Sequence, residues 1–313
     1  MSTGITGLSR ENAASLIRRS WKSKYLYLMF FPVLVYYILF KYSPMFGIVI
    51  AFKDYNAFIG VHASKWVGLK HFRIFITSIY FGRLIRNTFA LSFLDLLFNF
   101  PAPIILALML NEVSSKRFKS VIQTISYLPH FISTVVIVGI LVNFLSMSSG
   151  LINNIISMFG GQRIMFMADS RYFWLIYTAM NVWRSVGWNS IIYLAALSGV
   201  DPTLYEAAIV DGAGKWRQLF SVTFPSIAPT IIILFIMRVG HIVDVSYEAI
   251  ILMYNPQLYE TADVLATYVY RRGLIEVDYS FAAAVGFFQS IIGMIMIISA
   301  NAISRKVSDT SLW

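Results

Sequence analysis

Residues 201–217 read DPTLYEAAIVDGAGKWR and form a polar, charged interruption between two long apolar stretches. Asp201 can cap a helix whose first residue is Pro202, because proline has no N–H to leave unpaired and its φ is already helical. We predict a short helix from Pro202 to about Gly212. Gly212 and the next glycine then let the chain turn, and Pro225 restarts a helix toward the next apolar stretch. A segment of this kind is suited to docking on a soluble partner.

The chain around this segment is too apolar for a soluble globular protein. Of its 313 residues, 58% are hydrophobic and only 13% are charged, and the mean hydropathy is +0.69. Soluble domains carry roughly 25% charged residues. Apolar runs long enough to cross a bilayer, roughly 20 residues each, occur near residues 25–50, 88–110, 120–145, 172–198, 226–252 and 279–303.

These runs predict an all-α, polytopic membrane protein. It should contain six transmembrane helices, with one cytosolic helix in residues 201–217 between the fourth and the fifth. Proline interrupts regular helical hydrogen bonding. We therefore expect discontinuities at Pro44, Pro101, Pro103 and Pro129.

Basic residues indicate which ends of the spans face the cytosol. Two clusters precede the first span and separate the second from the third: Arg10, Arg18, Arg19, Lys22 and Lys24, then Lys116, Arg117 and Lys119. Cytoplasmic loops are enriched in lysine and arginine, and the first span usually sets the orientation. We therefore predict that both termini and residues 201–217 are cytosolic, although six further basic residues between Lys53 and Arg86 then lie outside.

This orientation divides the chain into five parts. Residues 1–24 form a basic cytosolic tail, residues 25–50 the first transmembrane helix, and residues 51–84 an external segment of short interfacial elements. Residues 85–304 form a core with five further transmembrane helices, and residues 305–313 form a second cytosolic tail. The first apolar run is too long and too aromatic for a cleaved signal peptide, so we interpret it as a retained anchor.

Composition also narrows the chemistry. The absence of cysteine excludes disulfides, thiolate catalysis and cysteine metal sites. The four histidines lack metal-binding spacing, so we predict no metal site and no catalytic residue. Residues 212–215 lack the spacing and the hydroxyl residue of an ATP-binding P-loop, so ATP must be bound elsewhere. The net charge of +10 is scattered among loops, and we expect no nucleic-acid partner.

Two sets of motifs resemble a known family. Glu206-Ala207-Ala208, followed two residues later by Asp211-Gly212-Ala213 and then by Pro225, resembles the EAA signature of ABC importer permeases. Motifs along nearly the whole chain resemble the LplB-type permeases of polysaccharide and oligosaccharide importers: residues 40–47 (FKYSPMFG), 51–56 (AFKDYN), 66–69 (WVGL), 100–103 (FPAP), 126–131 (SYLPHF) and 267–274 (TYVYRRGL). The resemblance implies a type I ABC importer permease fold in a bacterial plasma (inner) membrane.

The same resemblance implies an assembly. It would combine this chain, a second permease subunit in a heterodimer, two cytosolic ATPase subunits that hold ATP and Mg²⁺, and a lipid-anchored or periplasmic solute-binding protein. The substrate would be an oligosaccharide or a polysaccharide fragment, moved by alternating access. This chain would be a lipid-embedded permease with no cofactor of its own, and not an enzyme.

Residues 201–217 supply the predicted ATPase contact. We expect apolar side chains of the helix to enter a groove on the ATPase, while Glu206 and Asp211 meet polar groups at its rim. The predicted coupling residues are Tyr205, Glu206, Ala207, Ala208, Asp211, Gly212 and Ala213. The alternative is an ordinary interfacial helix that joins two spans.

Ionisable residues within two spans give a candidate substrate path. Charged groups inside a membrane are costly and usually face a cavity or a partner. On the fifth span, one helical face is predicted to carry Arg238, His241, Asp244 and Glu248. On the fourth span, a second face carries Asn181, Arg184, Ser185 and Trp188. The arginines would bind hydroxyls or carboxylates, and Trp188 would stack on a sugar ring.

Several alternatives remain open from the sequence. Arg184 and Arg238 could instead pair with Asp95, Asp244 or Glu248 and hold helices together. Unpaired arginines favour an acidic, uronate-containing oligosaccharide, whereas paired ones fit a neutral sugar equally well. An ion-coupled secondary transporter or channel would leave the EAA-like segment unexplained. A membrane-embedded enzyme such as a glycosyltransferase would need a carboxylate or metal site at the membrane surface, and the loops offer no convincing one.

Overall fold

The protein is mostly helical, which confirms the predicted fold class. The structure, a computed structural model, describes residues 23–307 and residue 311. Most of the two predicted cytosolic tails lies outside these residues. The one sheet among the described residues is a hairpin of two short antiparallel strands in which Lys53 pairs with Trp66.

The elements are numbered in chain order. In the first half of the chain they are α1 (Lys24–Tyr37), β1 (Lys53–Asp54), α2 (Gly60–Ala63), β2 (Lys65–Trp66), α3 (Lys70–Ile76), α4 (Phe81–Leu94), α5 (Pro101–Glu112), α6 (Lys116–Tyr127), α7 (Thr134–Leu145) and α8 (Leu151–Met158). In the second half they are α9 (Ser170–Ser198), α10 (Pro202–Val210), α11 (Lys215–Gln218), α12 (Phe224–Gly240), α13 (Tyr247–Met253), α14 (Tyr259–Ala262), α15 (Leu265–Tyr270) and α16 (Tyr279–Val307). Short 3-10 or π-helical turns, and one α-helical turn at Ser43–Met45, connect several of them.

Four helical rods in the described part of the chain are long and apolar enough to cross a bilayer: Lys24–Phe52, Phe81–Glu112, Lys215–Gly240 and Tyr279–Lys306. A fifth candidate is α6 and its 3-10 turn followed by α7, which are bent by 103° near Pro129. The 29-residue α9 is long enough, but it is not among the helices that reach the same hydropathy. These elements occupy the six predicted positions, while the number of spans stays a prediction.

Three π-helical turns share one position relative to a proline. They are Ile38–Tyr42, Asp95–Asn99 and Leu219–Thr223, and each ends two residues before Pro44, Pro101 or Pro225. In a regular α-helix the proline ring clashes with the carbonyl group four residues earlier, and that carbonyl group lies inside the π turn in all three cases. The wider turn therefore lets each rod continue past its proline.

The rod that contains Pro225 begins earlier than the sequence predicts. Its helix starts at Lys215 and continues through Pro225 to Gly240. The prediction that Pro225 restarts the helix is therefore wrong, because the π turn absorbs the proline.

The fifth predicted span is interrupted. The helix ends at Gly240, residues 241–246 form a turn and an extended segment, and α13 begins at Tyr247. The predicted continuous helix over residues 226–252 is therefore wrong. Gly240 weakens the helix at this point. Hydrogen bonds of the 3-10 type close the last turn, such as that from the N–H of Ile242 to the carbonyl oxygen of Val239.

Helix α9 packs closely against two neighbours and brings the site together. A Cβ atom on Gly187 would lie only 2.1 Å from the carbonyl oxygen of Ser126, so glycine permits the contact with α6. Tyr193 and Leu197 of α9 pack in one buried cluster with Ile104 of α5. The middle of α9 therefore lies beside the π turn Asp95–Asn99.

Candidate functional site

A cavity of about 270 Å³ lies where several helices meet. The π turn after α4 contributes Asp95 and Asn99, and α9 contributes Asn181 and Arg184. Other lining residues come from the 3-10 turn after α6 and from the end of α12 with the segment that follows it: His130, Arg238, His241 and Asp244. Because Asp95 and Arg184 are near the middle of their rods, the cavity lies at mid-depth in the helical body. We call it the central cavity.

The central cavity brings together five of the seven residues predicted for the substrate path: Asn181, Arg184, Arg238, His241 and Asp244. Glu248 lies exposed on α13 and does not line it. The predicted single helical face from Arg238 to Glu248 is wrong because the helix ends at Gly240. The turn that follows brings His241 and Asp244 to the cavity instead.

Trp188 also lies outside the lining of the central cavity. Its ring is stacked on the imidazole of His130, with ring centroids 4.5 Å apart and an interplanar angle of 1°. The ring of Phe131 meets Trp188 edge-on, with centroids 5.3 Å apart. Of the two stacked rings, that of His130 lines the cavity. His130 lies in the motif at residues 126–131 but was not predicted as a site residue.

Arg238 is paired within the protein. Its guanidinium group forms an ion pair with Asp95. The side-chain amide of Asn99 donates to Asp95 Oδ1 at 2.9 Å, and the hydroxyl of Ser185 donates to Asn99 Oδ1 at 2.7 Å. This network joins α12, the π turn and α9, so the structure gives Arg238 the helix-joining role that the sequence left as an alternative.

Asp244 is also engaged, whereas Arg184 is not. His241 Nδ1 lies 2.8 Å from Asp244 Oδ2, and Gln289 Nε2 donates to Asp244 Oδ1 at 3.3 Å. The side chain of Arg184 forms no ion pair or hydrogen bond with any residue that the structure describes. The two arginines that the sequence treated alike therefore differ in their surroundings.

A second cavity of about 260 Å³ continues from the first. It shares Asn99, Arg238 and His241 with the central cavity. Its other lining residues include Phe100 and Pro103 of the Phe81–Glu112 rod. They also include Tyr193 of α9 and Leu234 of α12, which lie toward the ends of those helices that flank residues 201–217. The two cavities outline a path from mid-depth toward that segment.

Residues 201–217 form an exposed helix and turn. Helix α10 runs from Pro202 to Val210, close to its predicted bounds, and Asp201 Oδ1 accepts a hydrogen bond from the backbone N–H of Thr203 at 2.9 Å. Gly212 has a φ of +75°, a conformation that glycine adopts without strain. No residue of α10 is buried, and the side chain of Val210 is 86% exposed.

Polar contacts of side chains attach this segment to the helical body, and one of them runs from Gln218 Nε2 to the carbonyl oxygen of Ala213 at 2.7 Å. The hydroxyl groups of Tyr205 and Thr223 lie 3.0 Å apart, and Lys215 Nζ lies 3.0 Å from Glu112 Oε2. The predicted coupling residues Glu206, Ala207, Asp211 and Gly212 are exposed, while Tyr205, Ala208 and Ala213 are half-buried. Exposed apolar side chains beside charged ones leave this surface available to a partner.

Comparison with known proteins identifies the family. Residues 99–309 match the family described as binding-protein-dependent transport system inner membrane component. A polygalacturonan/rhamnogalacturonan transport system permease protein of Bacillus subtilis, YteP, is 42% identical over 97% of this chain and 95% of its own length. The LplB protein of the same organism is 44% identical over 93% of this chain and 92% of its own length.

A solved structure extends the similarity to the fold. A chain of a bacterial alginate ABC transporter, crystallised in complex with an alginate pentasaccharide-bound periplasmic protein, has a TM-score of 0.87 and 44% identity, covering 95% of this chain and 99% of that chain. The predicted type I importer fold is thereby confirmed. This chain therefore belongs to the binding-protein-dependent transport system inner membrane components, the permease subunits of ABC importers.

Proposed function

We propose that this chain moves an oligosaccharide into a bacterial cell through the two connected cavities. The observation that carries the proposal is the central cavity, which lies at mid-depth between membrane helices and is lined by amide, hydroxyl, imidazole and guanidinium groups. Such groups can hydrogen-bond the hydroxyls of a sugar. The functions of the relatives, polygalacturonan/rhamnogalacturonan transport and alginate transport, support an oligosaccharide substrate that contains uronate residues.

The ATPase contact is assigned to residues 201–217. In the membrane orientation predicted from the basic residues, both termini and α10 face the cytosol, where an ATPase can reach them. The exposed apolar side chains of Leu204, Ile209 and Val210 support a helix-in-groove contact. Glu206 and Asp211 form no ion pair with any described residue, so both carboxylates are available to polar groups of the ATPase.

Helix α12 and the π turn before it link the two functional regions. Thr223, which contacts Tyr205, and Lys215, which pairs with Glu112, lie near one end of the Lys215–Gly240 rod. Arg238 lies at the other end, in the wall that the two cavities share. ATP can bias an inward/outward equilibrium only if the ATPase contacts the two states differently. A displacement of α10 would reach the cavity wall along this rod.

A second permease subunit completes the proposed path. No residue of α1 is buried within this chain, so its apolar surface is left for lipid or for the companion subunit. The assembly would contain this heterodimer, two ATPase subunits that bind ATP and Mg²⁺, and an extracytoplasmic solute-binding protein. The alginate-bound periplasmic protein in the related crystal structure supports the last of these partners.

Uptake by reconstituted vesicles tests the proposal. The complete importer would be placed in sealed proteoliposomes, and uptake of tetragalacturonate would be measured with ATP or ADP supplied on the ATPase side. We expect uptake with ATP only. Uptake driven by a proton or sodium gradient without ATP would refute the proposal and favour an ion-coupled transporter.

A further inference from the structure

The central cavity contains an uneven distribution of charge. Besides Arg184, its ionisable lining residues are Asp95, His130, Tyr177, Arg238, His241 and Asp244. Asp95 is held by Arg238 and Asn99, and Asp244 is held by His241 and Gln289. Both carboxylates of the cavity therefore have partners other than Arg184.

The N–H donors of Arg184 are unpaired within the described part of the chain. A guanidinium group carries five N–H donors, and within the described part of the chain none of those of Arg184 reaches an acceptor. The residue is half-buried and lies at the middle of the 29-residue α9. A cation at this depth without a counter-ion is costly, and a bound anion would remove that cost.

We propose that Arg184 is the residue of this chain that binds the carboxylate of an acidic oligosaccharide, whereas Arg238 is a positioning residue. The inference rests on the proposed function and deepens it, because it assigns the preference for acidic sugars to one side chain. A guanidinium group binds a carboxylate through two parallel N–H···O bonds, a geometry that a single hydroxyl does not offer. This paired hydrogen bonding, which we call the arginine fork, therefore favours a uronate over a neutral sugar.

Direct binding to the purified importer, without its binding protein, isolates the contribution of the cavity. The probes are trigalacturonate and its fully methyl-esterified form, which keeps the sugar and removes the charge. We expect Arg184→Gln to raise the Kd for trigalacturonate about tenfold or more, the size of one lost charged hydrogen bond. The Kd for the ester should stay within about twofold, because the ester offers no charged oxygen to Arg184.

Three further variants control the test. Arg184→Lys keeps the charge and loses the fork, so the ratio of the two affinities should fall by about threefold. Arg171→Gln removes an exposed arginine near the start of the same helix, where it pairs with Asp169, and should change neither affinity. The double variant Asp95→Asn/Arg238→Gln removes this ion pair without changing the net charge of the cavity, so any loss of binding should be the same for both probes.

Two results would overturn the inference. One is an equal effect of Arg184→Gln on both probes, and the other is the absence of saturable trigalacturonate binding by the wild type. In the second case, ATP-driven uptake of the same trimer into vesicles would leave the proposed function standing. If Arg184→Gln gives no monodisperse complex, Arg184→Lys carries the test, and an unchanged affinity ratio overturns the inference.

Discussion

The two ends of the Phe81–Glu112 rod have opposite surroundings in the rest of the chain. Near its start, the carboxylate of Asp263 is fully buried and receives Arg83 at 3.1 Å, Arg271 at 2.8 Å and the hydroxyl of Thr267 at 2.9 Å. Near its other end, α10 has no buried residue, and Tyr205 attaches it through a hydrogen bond with Thr223. The chain completes the first end by itself and leaves apolar surface uncovered at the second.

This difference separates residues that stabilise the fold of the chain from residues whose surface is exposed and can contact a partner. In this buried cluster, which we call the Asp263 cluster, Arg83, Arg271 and Thr267 share the carboxylate of Asp263. Within the described residues Arg83 Nε has no hydrogen-bond partner, so the carboxylate is the main anchor of both arginines. An exposed apolar helix gains stability only when another surface covers it. Changes in the Asp263 cluster should therefore affect folding, whereas changes in α10 should affect assembly and coupling.

The largest effect on stability is expected from Asp263→Ala. The substitution leaves Arg83 and Arg271 partly buried without their shared carboxylate, and breaking a buried pair costs about 3–5 kcal/mol. Thermal unfolding of the solubilised protein measures the loss. Glu260→Ala removes an exposed carboxylate that pairs with Arg86 nearby and should cost less than about 1 kcal/mol. Equal losses for the two variants would contradict the comparison.

Glu206→Lys should act on coupling and leave the fold intact. It reverses a charge on the exposed helix α10, so we expect ATP-driven uptake to fall by about tenfold or more, equivalent to about 1.4 kcal/mol. The thermal unfolding temperature should not change, because Glu206 has no ion pair within the described residues. Glu206→Asp keeps the charge and should restore most of the uptake. Full transport by Glu206→Lys would remove the docking role from this residue.

Gly212→Val should loosen the turn after α10. No atom lies within 4 Å of a Cβ atom built at this position, so the cost comes from the backbone alone. A left-handed conformation costs a residue with a Cβ atom about 1–2 kcal/mol, and asparagine tolerates it better. Hydrogen exchange across residues 201–217 should therefore quicken more in Gly212→Val than in Gly212→Asn. Identical exchange in both variants would mean that the turn does not constrain α10.

The smallest effect is expected from Asp201→Ala, which removes the cap of α10. Hydrogen exchange should quicken only in the first turn of this helix.

The same cap predicts a pH dependence. The hydrogen bond from the backbone N–H of Thr203 holds the pKa of the Asp201 carboxyl below its usual 3.8. A carboxyl whose pKa is lowered on folding stabilises the helix above its usual pKa, and this stabilisation disappears as the pH falls through the lowered value. Wild-type protection of the first turn should therefore be the same at about pH 8 and about pH 5 and decline only in stronger acid. A decline above pH 5 would exclude the charged cap.

The sequence predicted features that depend on neighbouring residues. The bounds of α10, the cap at Asp201 and the left-handed turn at Gly212 follow from local chemistry, and the structure contains all three. The irregular geometry before Pro44 and Pro101 and the bend near Pro129 were likewise readable, because proline acts on its own helix. Pro103 was predicted as a break but lies inside α5.

Features that depend on distant residues could not be predicted in the same way. The choice of Asp95 as the partner of Arg238 requires two rods to meet, and the Asp263 cluster joins residues up to 180 positions apart. His130 lines the cavity because the bend expected at Pro129 reaches 103°, and the sequence specifies neither this angle nor the helices that the bend faces. A signal existed for the break after α12, since Gly240 precedes three polar residues within six positions. In the prediction, the high apolar content of residues 226–252 outweighed this signal.

The π turns before Pro44, Pro101 and Pro225 also set the rotational phase of the rods. One residue of an α-helix corresponds to about 100° of rotation, so accommodating one extra residue turns everything beyond it by roughly that angle. In the Phe81–Glu112 rod the offset falls at Asp95–Asn99, between the half that carries Arg83 and the half that reaches Glu112. The orientation of each half about the rod axis is therefore set separately. A single continuous rod can direct one set of side chains toward the central cavity and another, at a different angle, toward residues 201–217.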